Sequence, residues 1–162
     1  MPHFSTKTYG HEVGLSCAFR QPNAHHSHCS KIHGYALSFK FEFGCYYLDD
    51  NDWVVDFGSL KILKEALVKA FDHKTVIALH DPALDYFREG QEMGVLDLVI
   101  MPNGVGCEKF AEHAFGLAQR TLQVMHPDSS RVWVEYCECA EHGANSSIYT
   151  RELDQEVRST NL

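Results

Sequence analysis

Cys29-Ser30-Lys31-Ile32-His33-Gly34-Tyr35 sets a thiol just ahead of a His-Gly pair, at the start of an apolar run. His25, His26 and His28 crowd further imidazoles around the same thiol. Cationic neighbours activate a thiol as nucleophile or base, and imidazoles move protons or bind metal. The alternative is an inert core cysteine, because free cysteine is among the most buried residue types. Asp72-His73 is a second candidate, since a carboxylate that fixes an imidazole tautomer builds a general base. Adjacent helical residues do not face each other, so no direct bond is expected while both remain helical, and a solvated helix end explains the pair equally. Glu108 and Glu141 can each accept paired hydrogen bonds from an amino-heterocycle edge. Glu108 also suits a helix N-terminus for dipole reasons alone, and Glu141 also suits a solvated loop.

The elements that must position these groups follow from periodicity. Residues 3–20 read as one strand, with Val13, Leu15, Cys17 and Phe19 alternating against small or polar residues. Gln21 to Ser27 is a polar loop. Residues 33–47 form the clearest strand, with His33, Tyr35, Leu37, Phe39, Phe41 and Phe43 on one face. Residues 49–52 make an acidic turn, Trp53–Phe57 returns as a short strand, and Asp56 is placed to cap the next helix. That helix covers 58–71, with Leu60, Leu63, Leu67 and Phe71 inward. Residues 80–92 read as a loop with a helical turn, and Val95–Ile100 as a short strand. A second amphipathic helix spans 106–124 and stops at His126-Pro127. Strands are expected at 131–139 and Ile148–Leu153, joined by a polar loop through Glu141. The pattern is an α+β fold: an antiparallel sheet with two helices on its apolar face.

Composition narrows the function. The chain has 162 residues, 44% of them hydrophobic, which suits a single domain over 1–162. A formal net charge of -8 argues against nucleic acid or an anionic membrane as partner. No signal-like start or membrane-length apolar run is apparent, so the six cysteines are expected to be reduced thiols in a cytoplasmic protein. Cys137 and Cys139 share one strand face and read as small core residues, with metal binding as the alternative. Eleven histidines justify a search for metal or proton-transfer chemistry.

Taken together, Cys29-x-x-x-His33-Gly34, Val55-Asp56-Phe57-x-x-Leu60-Lys61, Asp72-His73, Glu108 opening a helix, and Glu141 followed by Ile148-Tyr149 resemble the 6-pyruvoyl-tetrahydropterin synthase / 6-carboxytetrahydropterin synthase family. The resemblance implies a tetrahydropterin-synthase-like tunnel fold, in which sheets of several subunits close into an oligomeric barrel, a trimer or hexamer. It implies a lyase acting on 7,8-dihydroneopterin triphosphate, in a tetrahydropterin or 7-deazaguanine (queuosine) pathway. Matched by motif, Cys29, Asp72 and His73 would be catalytic and Glu141 would anchor the pterin, with Glu108 a further substrate-binding residue. Arg20 and Lys31 are the nearest basic residues for the triphosphate.

The resemblance also implies a zinc ion held by three histidines, and there the chain departs. Only His33 stands in place; Phe19 and Tyr35 occupy the other two positions, and Gly106 replaces a usual threonine. A catalytic zinc needs about three protein ligands. Either the metal is lost and the two aromatic rings fill its space, or it is rebuilt with His25, His26 or His28, with Cys17 as a further candidate ligand. The rival reading is a pterin- or purine-binding protein that kept Glu141 and lost catalysis with the metal.

Overall fold

In the computed structural model, which describes residues 1–151, the alternating start of the chain makes two strands where one was expected. These are β1 (His3–Tyr9) and β2 (Leu15–Phe19). Both pair antiparallel with β3 (His33–Cys45): Tyr9 lies opposite Phe39, and Leu15 opposite Leu37. The residues between have no room in the ladder. They leave it as a 3-10 turn at His11–Val13, closed by Gly14 at φ 77°, a backbone region that glycine enters without a Cβ clash. On β3 the expected face is the buried one: Leu37, Phe39, Phe41 and Phe43 are fully enclosed.

Trp53–Phe57 is not a strand. Arg131 donates to the carbonyls of Tyr47 (2.8 Å), Trp53 (3.2 Å) and Val54 (3.0 Å). Asp49 Oδ1 accepts from the N–H groups of Asn51 and Trp53. The backbone groups that a strand partner would use are therefore satisfied locally. Asp56 caps the turn ahead of the helix and not the helix itself: its carboxylate accepts from Ser59 Oγ and the Gly58 N–H. These bonds, Ser59 first, hold its carboxyl below the usual range. Helix α1 (Lys61–Phe71) then buries Leu63, Leu67 and Phe71, with Leu60 just ahead of it, as the periodicity predicts.

The next segment departs most from the sequence reading. Lys74–Ala78 is a strand, β4; Leu84–Glu92 is a full helix, α2; Leu98–Met101 is β5. β2 pairs parallel with β4, and β4 parallel with β5. The sheet is therefore mixed, with three α-helices where two were expected. The parallel β4–β5 pair requires a crossover, and α2 supplies it. Helix α3 (Cys107–Met125) and strands β6 (Val132–His142) and β7 (Asn145–Thr150) complete the order β5-β4-β2-β3-β6-β7, with β1 also on β3. Glu141 thus belongs to a strand, not a loop. The end of the expected last strand, at 152–153, lies outside the described residues.

Helices α1 and α3 meet the sheet through aromatic contacts. Phe71 lies 4.9 Å from Phe39 and 5.3 Å from Phe110, and Phe110 lies 5.0 Å from Phe19. No helix among the described residues is long and apolar enough to cross a membrane.

Gly34, which pairs with Ala18, tests the tightness of this sheet: a Cβ there would lie 2.5 Å from the Cys17 carbonyl oxygen. Overpacking of this kind costs about 1–3 kcal/mol. Gly34→Ala is therefore expected to lower the denaturant midpoint clearly, while Gly143→Ala, with nothing within 4 Å, leaves it nearly unchanged. Equal midpoints for the two variants would contradict the close approach of β2 and β3.

Candidate active site

The thiol loop is fixed at both ends. The Gln21 N–H donates to the Cys29 carbonyl at 2.8 Å and closes it. Ser27 Oγ accepts from the Cys29 N–H (3.2 Å), and the Ser27 carbonyl accepts from Ser30 Oγ (2.9 Å), which sets a 3-10 turn over His28–Ser30. Arg20 Nε donates to Asp81 Oδ2 at 2.9 Å, and the Asp81 side chain is fully buried. Asp81 also accepts from the Ala83 N–H. Arg20 thereby pins the end of β2 to the turn before α2. Among the six cysteines Cys29 alone is half-buried; the other five are buried.

The Tyr35 phenol is raised above its ordinary value by the Glu141 carboxylate, then by burial, then by Cys29. Glu141 reaches this position through a β-bulge. Ala140 pairs with Ser146 and His142 with Asn145, so Glu141 is the extra residue between them. Bulges re-aim side chains in this way. Among the described residues no hydrogen bond or ion pair holds the Glu141 carboxylate, so its oxygens are free to accept from a ligand. Cys107 donates to the Cys139 carbonyl at 2.9 Å. Contact with Cys139 holds its thiol below the ordinary range, while the same contact and burial push Cys139 up. Gly106 (φ 113°) opens α3 between two side chains: Gln21 Nε2 and Glu108 Oε2 lie 2.6 and 3.7 Å from where its Cβ would be.

Asp72 and His73 do bond, because neither is helical. The helix ends at Phe71, Asp72 is extended, and His73 has φ 56°. His73 Nδ1 donates to Asp72 Oδ1 at 2.7 Å, which leaves Nε2 as the basic nitrogen. A non-glycine residue in this backbone region is strained, and such residues gather at functional sites. The His73 side chain is 85% exposed. Among the described residues no bond joins it to Cys29 or Glu141, and one chain leaves the imidazole facing outward.

A model of the 6-pyruvoyl tetrahydropterin synthase family matches residues 10–152. The chain belongs to this family. No curated protein sequence matches it. Among solved structures, an uncharacterised protein from Wolinella succinogenes aligns with a TM-score of 0.74 at 15% identity, covering 94% of this chain and 99% of that one. The 6-pyruvoyl tetrahydropterin synthase of Plasmodium falciparum aligns at 0.69 and 14%, with the same coverage. That of Caenorhabditis elegans aligns at 0.56 and 14%, covering 94% and 96%. At these identities the likeness establishes the fold.

The donor set does not fit the zinc ion that the family resemblance implies. Among the described residues no three His, Cys, Asp or Glu side chains converge as a ligand group. His33 Nδ1 donates to the Lys31 carbonyl (2.8 Å), so its neutral ring keeps one lone pair, at Nε2. Phe19 is 1% exposed, with its ring 4.6 Å from that of His33; Tyr35 lies 5.8 Å from the same ring. The alternative ligands His25, His26 and His28 are exposed on the loop and join no such group.

The sequence reading missed Gln21, Cys107 and His142, whose ring lies 5.9 Å from Tyr35. The only signal for Gln21 was its position at the start of the polar loop. Native-state alkylation read by mass spectrometry is expected to give a single early adduct, on Cys29. Modification spread evenly over the six cysteines would contradict this arrangement.

Proposed function

We propose that this member of the family is a lyase that eliminates triphosphate from 7,8-dihydroneopterin triphosphate or a close relative, and then either rearranges the three-carbon side chain to a 6-pyruvoyl group or cleaves its carbon–carbon bond, releasing the two outer carbons as an aldehyde, to leave a 6-carboxy group. Its pathway would lead to tetrahydropterin or to 7-deazaguanine. The observation that carries the reading is the Glu141 carboxylate at the β6 bulge, without a hydrogen bond or ion pair among the described residues, in a chain of this family. A carboxylate re-aimed by a bulge suits paired acceptance from the N–H and NH2 edge of a pterin. Cys29 would then move a proton on the side-chain carbons, and His73, oriented by Asp72, would act as the second base. Because His73 faces outward, the complete site needs a second copy of the chain. Family membership supports an oligomer, and a trimer or hexamer is proposed. β1 and β7 each pair on one edge only among the described residues, which suits closure between copies.

Phe19 and Tyr35 favour a second reading, a pterin-binding protein without turnover, because they stand where metal ligands would be needed. Two variants separate the readings. In the lyase reading, Cys29→Ala lowers kcat by about 10²–10⁴ and leaves pterin binding intact, while Glu141→Ala weakens binding by about tenfold or more. Absence of turnover with any pterin triphosphate, in protein that binds neopterin, would leave the binding reading.

Elemental analysis of protein purified without chelator is expected to give well under one zinc per subunit. Stoichiometric zinc that disappears in His33→Ala would overturn that expectation and restore a metal-assisted route.

A further inference from the structure

Cys107 and Cys139 form a thiol pair that no step of the proposed lyase chemistry uses. Cys107 is the first residue of α3, and Cys139 lies on β6. Both belong to the core, Cys107 at 8% exposure and Cys139 at 0%. Cys107 Sγ donates to the Cys139 carbonyl at 2.9 Å, and the two thiols are in hydrogen-bond contact with each other. Sulfur beside sulfur is what a disulfide requires. The neighbouring cysteines stand apart from the pair: Cys17 donates to the Ala18 carbonyl (3.9 Å) and Cys137 to the Glu138 carbonyl (3.8 Å).

The two members are unequal. Cys107 sits where the free N–H groups of a helix favour negative charge. Contact with the Cys139 thiol first, and the Ser147 hydroxyl and N–H after it, hold the Cys107 thiol low against burial and the Glu141 carboxylate. Ser147 is also the β7 residue opposite Cys139. Cys139, beside Cys107 and buried, is pushed up and keeps its proton. A thiolate that touches a second thiol is the arrangement from which a sulfenic acid closes to a disulfide.

We propose that Cys107 and Cys139 are a reversible thiol–disulfide switch, oxidised by a hydroperoxide, that acts on the Glu141 carboxylate. With hydrogen peroxide, the Cys107 thiolate attacks one oxygen. An S–O bond forms, the O–O bond breaks, and the hydroxide that leaves takes up the proton Cys107 has released, as water. The Cys139 sulfur then attacks the Cys107 sulfur. The S–S bond forms, the S–O bond breaks, and a second water leaves with the Cys139 proton. The two thiols together lose two electrons and the peroxide gains them. A dithiol reverses the bond by thiol–disulfide exchange.

The fold carries the switch to Glu141. Cys139 stands two residues before it, on the strand whose bulge aims the carboxylate. Oxidation removes the S–H donor from the Cys139 carbonyl and ties the start of α3 to β6. The consequence is read in ligand binding, and the choice of a pterin as that ligand rests on the proposed function.

Non-reducing peptide mapping of the full chain after brief hydrogen peroxide treatment tests the pair. A Cys107–Cys139 linked peptide is expected, lost on dithiothreitol and absent in Cys107→Ser. No such link in folded wild type, or equal links from Cys107 to Cys17 and Cys137, would overturn the proposal. Neopterin titration tests the consequence. The linked form is expected to bind about tenfold more weakly, the scale of one lost charged hydrogen bond, with affinity restored by dithiothreitol. Cys107→Ser treated with peroxide should keep its untreated affinity, which removes oxidation of Cys29 as the cause. Equal neopterin affinity in the reduced and linked wild type sinks the switch alone. No neopterin binding by the reduced wild type sinks the pterin reading. Amide hydrogen exchange over 139–147 then decides the switch, which requires the linked and reduced forms to differ there.

Discussion

The geometry of the site depends on the close approach of β2 to β3 at Gly34. The two backbones run so near that the Cβ position at Gly34 is already taken by the Cys17 carbonyl. This register sets Phe19 opposite His33 and Cys17 opposite Tyr35. The same row continues to β4, where Cys17 pairs with Lys74, the residue after His73. One set of ladder bonds therefore fixes the aromatic cluster of Phe19, His33 and Tyr35 and the strand that follows the imidazole. The helices hold this row in place: Phe110 packs edge-on against Phe19, and Phe71 against Phe110. Shifting the β2–β3 register by one residue would put Phe19 and Tyr35 on opposite faces of the sheet and dismantle the cluster.

Against this rigid row, the two groups with the most chemistry sit at breaks in regular structure. Glu141 is the extra residue of a bulge, and His73 occupies a left-handed turn between α1 and β4. A regular strand would alternate Glu141 in step with its neighbours. The bulge lifts it out of that alternation and directs its charge at Tyr35 and Cys107. A continued helix would keep Asp72 and His73 from facing each other; ending it at Phe71 lets the carboxylate fix the imidazole tautomer. In both places an irregularity supplies an orientation that periodic structure does not offer.

These breaks also explain what could be read from the sequence. β3, α1 and α3 carry long periodic patterns, and their inward faces were legible residue by residue. The segment from Lys74 to Met101 was not. β4 and β5 have only five and four residues, too short for a period to declare itself, and α2 is polar on most of its surface with only Leu84 and Phe87 buried. The β1–β2 break was hidden because alternation persists on both sides of it. Trp53–Phe57 has strand composition, but Arg131, distant in sequence, takes its carbonyls. Cys29, Asp72, His73 and Glu141 could be named from residue type and motif, yet their relation could not. The bulge depends on how β6 and β7 register.

The aromatic cluster sets a limit on how the proposed chemistry can work. Phe19 is wholly enclosed between His33, Tyr35 and Phe110, so the volume around His33 is filled by rings. A divalent metal stabilises developing negative charge by several kcal/mol without moving a proton. A neutral phenol offers one hydrogen bond, about 1 kcal/mol net and more toward a charged acceptor. The Glu141 carboxylate, then burial, raise the Tyr35 phenol above its ordinary value, so it can donate but does not replace a dication. If triphosphate is eliminated here, the rate must come from other sources. In the proposed lyase reading these are positioning of the pterin by Glu141 and proton transfer by Cys29 and by the Asp72-oriented His73. The loop from Gln21 to Cys29 fixes the thiol for such a role: one backbone hydrogen bond, from the Gln21 N–H to the Cys29 carbonyl, closes it.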